Sequence, residues 1–463
     1  VQAFVLQWGV CVFANYRPQQ IFGGGHFCAI LDDFDLKCWG PNTGGKLGIG
    51  VSDAEFAGWY VGDEANEIGD HLPLVVLGTA RSARHVSSGE KGMCVVLDNH
   101  EVKCFGYRDS GVSYTGNDRI GIDPSDFNYH PTYDLGTGRT VLQTAKMLDS
   151  TCALLDNSAV KCWGQGSWGE LGYGDLSARH AASALGDNLP EVDLGTSRTA
   201  KKIVAGENHA CAILDDDTLK CWGRNYYGTL GIDSFLDTGV GDAADEMGDF
   251  LPVVGLGAAV IDVAAGFQMT CAILVDGNVK CWGPNMFSNL GYGDTHDRGT
   301  AEYPVASLPA LDLGTGKAAQ QIAVIYDAGA CALLNDTSVK CWGRSDVLLG
   351  YGDTEARSGA LGDSLPTIDL GTGKTVQQLV AARFSFCALL TDGASGQSEI
   401  KCWGPEGMML GYGDAVPRGG GPEEMGKNLP SIQLGAIQDT YFKHNFQHDI
   451  PGHIIVINHI DFN

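Results

Sequence analysis

Fourteen of the 15 cysteines in this chain fall into seven pairs: Cys28 and Cys38, Cys94 and Cys104, Cys152 and Cys162, Cys211 and Cys221, Cys271 and Cys281, Cys331 and Cys341, Cys387 and Cys402. Three chemistries are open to such pairs: a disulfide, reduced buried thiols acting as small apolar side chains, or a metal. A closed zinc site needs four Cys or His ligands, and no pair has further Cys or His residues beside it to complete such a set. In six pairs the cysteines are ten residues apart around a polar turn. Folded as a hairpin, they face each other at a non-hydrogen-bonded position, where Cα atoms lie about 4.5 Å apart, at the short end of disulfide geometry. Disulfides are therefore expected, with reduced cysteines as the alternative, and they point to an extracellular or cell-surface location.

Other reactive side chains form no constellation. Ser, His and Asp are scattered through the chain without a nucleophile motif, so no catalytic residue is assigned and no enzyme is expected. Asp175, Asp294, Asp353 and Asp414 close Tyr-Gly-Asp turns, but their spacing matches no standard calcium loop, and Asp at a turn commonly accepts a bond from its own backbone. His444, His448, His453 and His459 lie in a polar tail containing Pro451. Neither metal nor cofactor is expected. With 30 Lys and Arg against 56 Asp and Glu, the formal charge of -26 would repel a phosphate backbone, which disfavours nucleic acid as a partner. No stretch approaches the roughly 20 apolar residues of a membrane span.

The elements that carry the cysteines repeat. Cys211-Ala-Ile-Leu-Asp-Asp-Asp-Thr-Leu-Lys-Cys221-Trp-Gly recurs seven times, with the second Cys at 38, 104, 162, 221, 281, 341 and 402. Each copy has an apolar strand, a polar turn, a Lys-Cys-Trp-Gly strand, a Leu-Gly turn and then Leu-Pro-x-x-Asp-Leu-Gly. Short strands with Gly and Asp turns and no helical period mean an all-β fold, and a period near 60 suits a propeller blade. The pattern predicts a seven-bladed β-propeller over 17–435. Leu429-Pro-Ser-Ile-Gln-Leu-Gly435 supplies, after the last copy, the segment absent before the first; it is expected to close the ring as a strand completing the N-terminal blade. Residues 436–463 are an extension without predicted structure. Residues 1–14 are apolar, contain the unpaired Cys11 and end in Val12 and Ala14, as the remnant of a signal peptide would; an N-terminal strand packed on the first blade is the alternative.

Cys221-Trp-Gly-Arg-Asn225 followed by Gly228-Thr-Leu-Gly231 resembles the repeat of the regulator of chromosome condensation family, over about residues 17–435. The family includes a bacterial inhibitor of β-lactamases and a plant ultraviolet-B photoreceptor. The resemblance implies a propeller but does not fix its task. Copy two departs most, with Phe105 in the Trp position and a long stretch from Tyr107 to Ile120. The repeated Trp39, Trp163, Trp222, Trp282, Trp342 and Trp403 suit wedges between blades.

Positions that vary while their surroundings repeat carry the functional expectation. Trp168, Tyr226, Tyr227, Met286 and Phe287 occupy equivalent loops of copies three to five and have the composition of a binding surface, although covering the adjoining blade is an equally physical use. The acidic insert loops Val51 to Asp70 and Asp233 to Asp249, with Trp59 and Tyr60, form a second surface. Asn335-Asp-Thr337 is a glycosylation sequon at a predicted hairpin tip. The expected function is a secreted or cell-surface module that binds a protein or glycan. The alternatives are a guanine-nucleotide exchange factor for a small GTPase, which the family resemblance suggests, and an inhibitor of a secreted hydrolase.

Overall fold

The computed structural model describes residues 6–7, 10–11 and 16–436, apart from 51–58, 108–118, 124–131, 235–237, 327, 345–347 and 360. Each copy folds as an antiparallel sheet whose strands follow chain order; in the fourth these are Ala200–Ala205, His209–Leu214, Leu219–Arg224 and the short Gly239–Val240. The first and second sheets also have two-residue fourth strands, Tyr60–Val61 and Arg119–Ile120. The remaining four close with a single bridge, Gly164 with Arg179, Gly283 with Arg298, Gly343 with Arg357 and Gly404 with Arg418. No α-helix occurs among the described residues.

The strand burial explains the sequence pattern. His209–Leu214 is buried at every position. A middle strand with neighbouring sheets on both faces needs no polar alternation, which is why Cys-Ala-Ile-Leu reads as an unbroken apolar run. The register sets Cys211 opposite Cys221, and all seven pairs form disulfides with Cα atoms 4.0–4.1 Å apart. All 14 cysteines are fully buried.

The six tryptophans are buried between copies, and the indole N–H groups of three reach backward along the chain: Trp222 donates to Glu170 O (3.1 Å), Trp282 to Thr229 O (2.9 Å) and Trp403 to Leu349 O (3.2 Å). The Leu-Gly turn exists to admit them. Gly231 has φ +69°, and a Cβ there would lie 2.8 Å from Trp282 Nε1. Glycine is required on both counts.

The repeated Lys before each second Cys has a role the sequence did not disclose. Lys220 Nζ donates to Leu194 O of the preceding copy (2.9 Å) and to Gly248 O of its own (2.7 Å). Lys161, Lys340, Lys401 and Lys37 make the corresponding pairs of bonds. A buried ammonium thus spends its donors on two backbone carbonyls and ties one copy to the next.

The seventh and first copies meet through the same contacts that join other neighbours. Gln378 exchanges hydrogen bonds with the backbone of Ile21 (2.9 and 2.7 Å), as Gln143 does with Ile203. One core cluster contains residues of both ends, including Ile21, Trp39, Cys402 and Leu434. The Leu429-to-Gly435 segment differs from expectation. It is not the completing strand of the first sheet, whose fourth strand is Tyr60–Val61. Ile432 N–H donates to Ile400 O of the seventh sheet (2.8 Å), just as Val254 returns to Leu219 in the fourth copy. The segment then reaches the first copy: Gly69 N–H donates to Gln433 O, and Lys37 Nζ to Leu434 O (2.6 Å). Pairing with its own third strand satisfies its backbone groups, and the lysine makes the bridge.

At the N-terminus Leu6–Gln7 pairs with Val10–Cys11. Most of the expected signal segment 1–14, and the tail from 437 with its four histidines, lie outside the described residues.

Candidate binding face

The loops after the Lys-Cys-Trp-Gly strands are fixed by a recurring device. Asp175 accepts the backbone N–H of Ser177 (2.7 Å) and pairs with both terminal nitrogens of Arg179 (3.0 and 2.8 Å). Asp414 takes both terminal nitrogens of Arg418 in the same way, and Asp294 and Asp353 each take one terminal nitrogen of Arg298 and Arg357. These aspartates are turn acceptors saturated by an arginine, and the arginine stacks on the tyrosine of the turn, as Arg418 does on Tyr412 at 4.1 Å. The tyrosine hydroxyl is spent in turn: Tyr412 Oη accepts from Cys402 N–H and donates to Cys402 O (2.8 and 2.9 Å). Rigid turns of this kind hold the variable residues between them.

The described contacts gather the five expected binding residues into two groups. The Arg224 guanidinium lies 4.3 Å from the Trp168 ring of the third copy and 4.9 Å from the Tyr226 ring of the fourth. Tyr227 packs edge-on against Tyr226 at 4.6 Å and is exposed, with φ +47°. Met286 and Phe287 form the second group, where Arg344 of the sixth copy covers Phe287 at 4.3 Å. Met286 is 68% exposed and Phe287 44%. Cation–π contacts join successive copies here, so these side chains both cover blade edges and leave apolar area in solvent. Of the insert loops, Trp59 stands exposed and Tyr60 is half-buried. Asn335 is exposed at a tip between second and third strands, with its amide donating to Gly316 O (3.2 Å).

The first turns of all seven copies line one cavity of about 140 Å³, with Gly24, Glu90, Lys146, Glu207, Phe267, Tyr326 and Arg383 among its walls. The aromatic loops lie at the same end: Arg224 N–H donates to Asn208 O (2.8 Å), Thr229 Oγ1 to Gln268 O (2.9 Å) and Lys46 Nζ to Glu90 O (2.7 Å). The tip carrying Asn335 is at the other end of its strands. Phe267 stacks on Tyr326 at 4.8 Å, and Tyr326 Oη donates to Glu90 Oε1 (2.8 Å). Arg383 Nε lies 3.5 Å from Glu90 and 3.6 Å from Glu406. Burial, with Glu90 and Asp149 nearby, pushes the Glu207 carboxyl up to about 7 against the pull of Arg224 and Lys91. Burial likewise lowers Lys146 to about 7. Its Nζ donates to the carbonyls of Met147, Leu148 and Ser150.

This cavity was not foreseen. The signal was present after the first strand, where Gly206-Glu207 and Gly266-Phe267 correspond to Gly89-Glu90, Ile325-Tyr326 and Ala382-Arg383 in other copies.

The regulator of chromosome condensation (RCC1) repeat model matches residues 200–229 and 260–288. The human E3 ubiquitin-protein ligase HERC2 is 31% identical over 291 residues, 62% of this chain and 5% of HERC2. The Arabidopsis thaliana ultraviolet-B receptor UVR8 is 24% identical over 60% of this chain and 55% of its own length. The matches therefore span little more than half of the one relative and a small part of the other. Among solved structures, human WBSCR16 superposes with a TM-score of 0.60 over 83% of this chain and 92% of its own, at 17% identity. Yeast RCC1 (Prp20), solved bound to Kap60, gives 0.59 over 82% and 78%, also at 17% identity. Sheets stacked in series, a buried Trp in six of the seven copies and the matched repeats together place this chain in the family of RCC1-repeat propellers.

Proposed function

We propose that this chain is a seven-bladed propeller, closed between its seventh and first copies, that serves as a secreted or cell-surface binding module for a protein or a glycan. The observation that carries the reading is the presence of exposed Tyr227, Met286 and Phe287 at the same end as a cavity lined by all seven first turns. Interfaces favour this aromatic, Met and Arg composition. Fully buried disulfides in every copy support an oxidising compartment, and Asn335 is a glycan acceptor on the end away from the binding face. The test is affinity capture from culture medium or cell envelope with wild type and with Trp168→Ala, Tyr227→Ala and Phe287→Ala. Loss of capture with unchanged melting supports the face; lowered melting with intact capture makes these side chains packing residues and moves the search to the acidic insert loops.

A second reading has one observation in its favour. The guanine nucleotide exchange factor SRM1 of Saccharomyces cerevisiae is 26% identical over 47% of this chain and 46% of its own length. If the chain is an exchange factor, it accelerates nucleotide release from a small GTPase, and recovery of only such a GTPase in the capture would replace the first reading. Insertion of the loop aromatics into a secreted hydrolase is a special case of the first, read out by inhibition of the captured enzyme.

A further inference from the structure

Around the axial cavity nearly every charge is already answered. Glu90 takes the Tyr326 hydroxyl and faces Arg383. Asp149 takes both bonds of Lys91 (2.7 and 2.9 Å), and Lys146 is consumed by three backbone carbonyls. Glu207 is the exception. It lines the cavity half-buried, and among the described residues its carboxylate accepts no hydrogen bond and makes no ion pair, although its own backbone carbonyl is engaged by Leu148 N–H (2.8 Å). Beside it Phe267 and Tyr326 present stacked rings. An unanswered carboxylate next to π faces in a narrow cavity is complementary to a cation on a slim apolar stem.

We propose that the cavity seats one basic side chain, a lysine or arginine offered by the bound partner, with its charged head on the Glu207 carboxylate and its stem against Phe267 and Tyr326. This rests on the reading of this end of the molecule as the binding face, and it specifies what the partner must present there. A seated cation supplies the charge that Glu207 lacks and favours its ionised form, so binding strengthens as Glu207 loses its proton near pH 7. The groups facing it are Glu90 and Asp149, which hold its proton on, and Arg224 and Lys91, which draw it off. Lys146, in the same cavity, loses its own charge over the same range, which removes a repulsion and acts in the same direction.

The test titrates the full chain with acetyl-Gly-Lys-Gly-amide and acetyl-Gly-Arg-Gly-amide at 0.15 M salt, read by saturation-transfer NMR at pH 6 and pH 8. The expected result is binding by at least one of them that is several-fold tighter at pH 8. It weakens at least tenfold and loses most of its pH dependence in Glu207→Gln, weakens in Phe267→Leu, and is absent for the Nε-acetyllysine peptide. Undetectable binding of both basic peptides, equal binding of the acetylated one, or unchanged affinity in a Glu207→Gln protein of wild-type melting temperature would overturn the proposal. Failure here while Trp168→Ala still abolishes capture removes the cavity occupant and leaves the binding face standing.

Discussion

Gly411, in the last Leu-Gly turn of the chain, packs against Trp39 of the first copy, so closely that a Cβ on it would lie 2.5 Å from Trp39 Cδ1. Gly231 bears the same relation to Trp282 one copy further along the chain. The contact between the seventh and first copies is thus built like an interior one. Gly411 also has φ +76°. Gly411→Ala therefore combines backbone strain with a clash against a fully buried indole, and is expected to cost about 2 to 4 kcal/mol. Gly231→Ala should cost a similar amount. Denaturant unfolding of the two variants is the measurement; a neutral Gly411→Ala beside a damaging Gly231→Ala would mean that the two ends of the chain do not meet in solution.

The disulfides give a prediction about both structure and compartment. Each of the first six encloses a loop of about ten residues, for which the chain-entropy model gives about 2 to 3 kcal/mol. Peptide mapping without reductant should recover Cys152 with Cys162, Cys211 with Cys221, Cys271 with Cys281 and Cys331 with Cys341. Cys211→Ala/Cys221→Ala should lower stability by about that amount. Free thiols at most of these positions in protein isolated from its native source would defeat the secreted assignment.

Much of this architecture was legible because the repeat encodes it seven times. Cys spacing fixed the hairpin, and the Trp and Leu-Gly motifs are the two halves of one contact between neighbours. What the sequence hid depends on relations between copies. Nothing in the sequence marks the Lys of Lys-Cys-Trp-Gly as a link between copies, yet Lys220 bonds carbonyls 26 and 28 residues away. Leu429 to Gly435 looked like a missing strand, because its absence before residue 17 suggested a vacancy that Tyr60–Val61 fills. The cavity was hidden for another reason. Its walls come from turns about 60 residues apart, and Glu90 meets Tyr326 and Arg383 across more than 230 residues of sequence.

Acid should loosen the junctions between copies. Asp249 accepts the backbone N–H of Thr196 (2.8 Å) and its hydroxyl, and these bonds hold its carboxyl below the usual value. Asp187 with Thr137 and Asp363 with Thr315 repeat the arrangement. A carboxyl whose folded value is depressed contributes stability that is present above the unfolded value, near 4, and is lost as pH falls through the folded one. The triple variant Thr137→Val/Thr196→Val/Thr315→Val should therefore melt below wild type at pH 7, with the difference shrinking toward pH 3. A difference that stays constant across that range would show that the hydroxyls act only through packing.

Removal of residues 429–463 tests how the ends are joined. The truncation deletes Leu429, Ile432 and Leu434, each at most 6% exposed. Burial of such side chains is worth about 1.5 to 3 kcal/mol apiece, less whatever the shortened chain recovers by relaxing. It also takes from Lys37 the Leu434 carbonyl, leaving a buried ammonium with Gly69 O alone, and it strands Ile400 O and the N–H groups of Gly69 and Tyr16. Unpaired groups along a sheet edge both cost stability and invite association with other chains. The shortened protein should melt markedly earlier and aggregate, as seen by calorimetry and light scattering, whereas a protein ending at residue 436 should behave like the full chain, because every described contact of the segment is retained. A chain ending at 428 that stays monomeric with an unchanged melting temperature would show that the bridge from the seventh copy to the first carries no weight in solution.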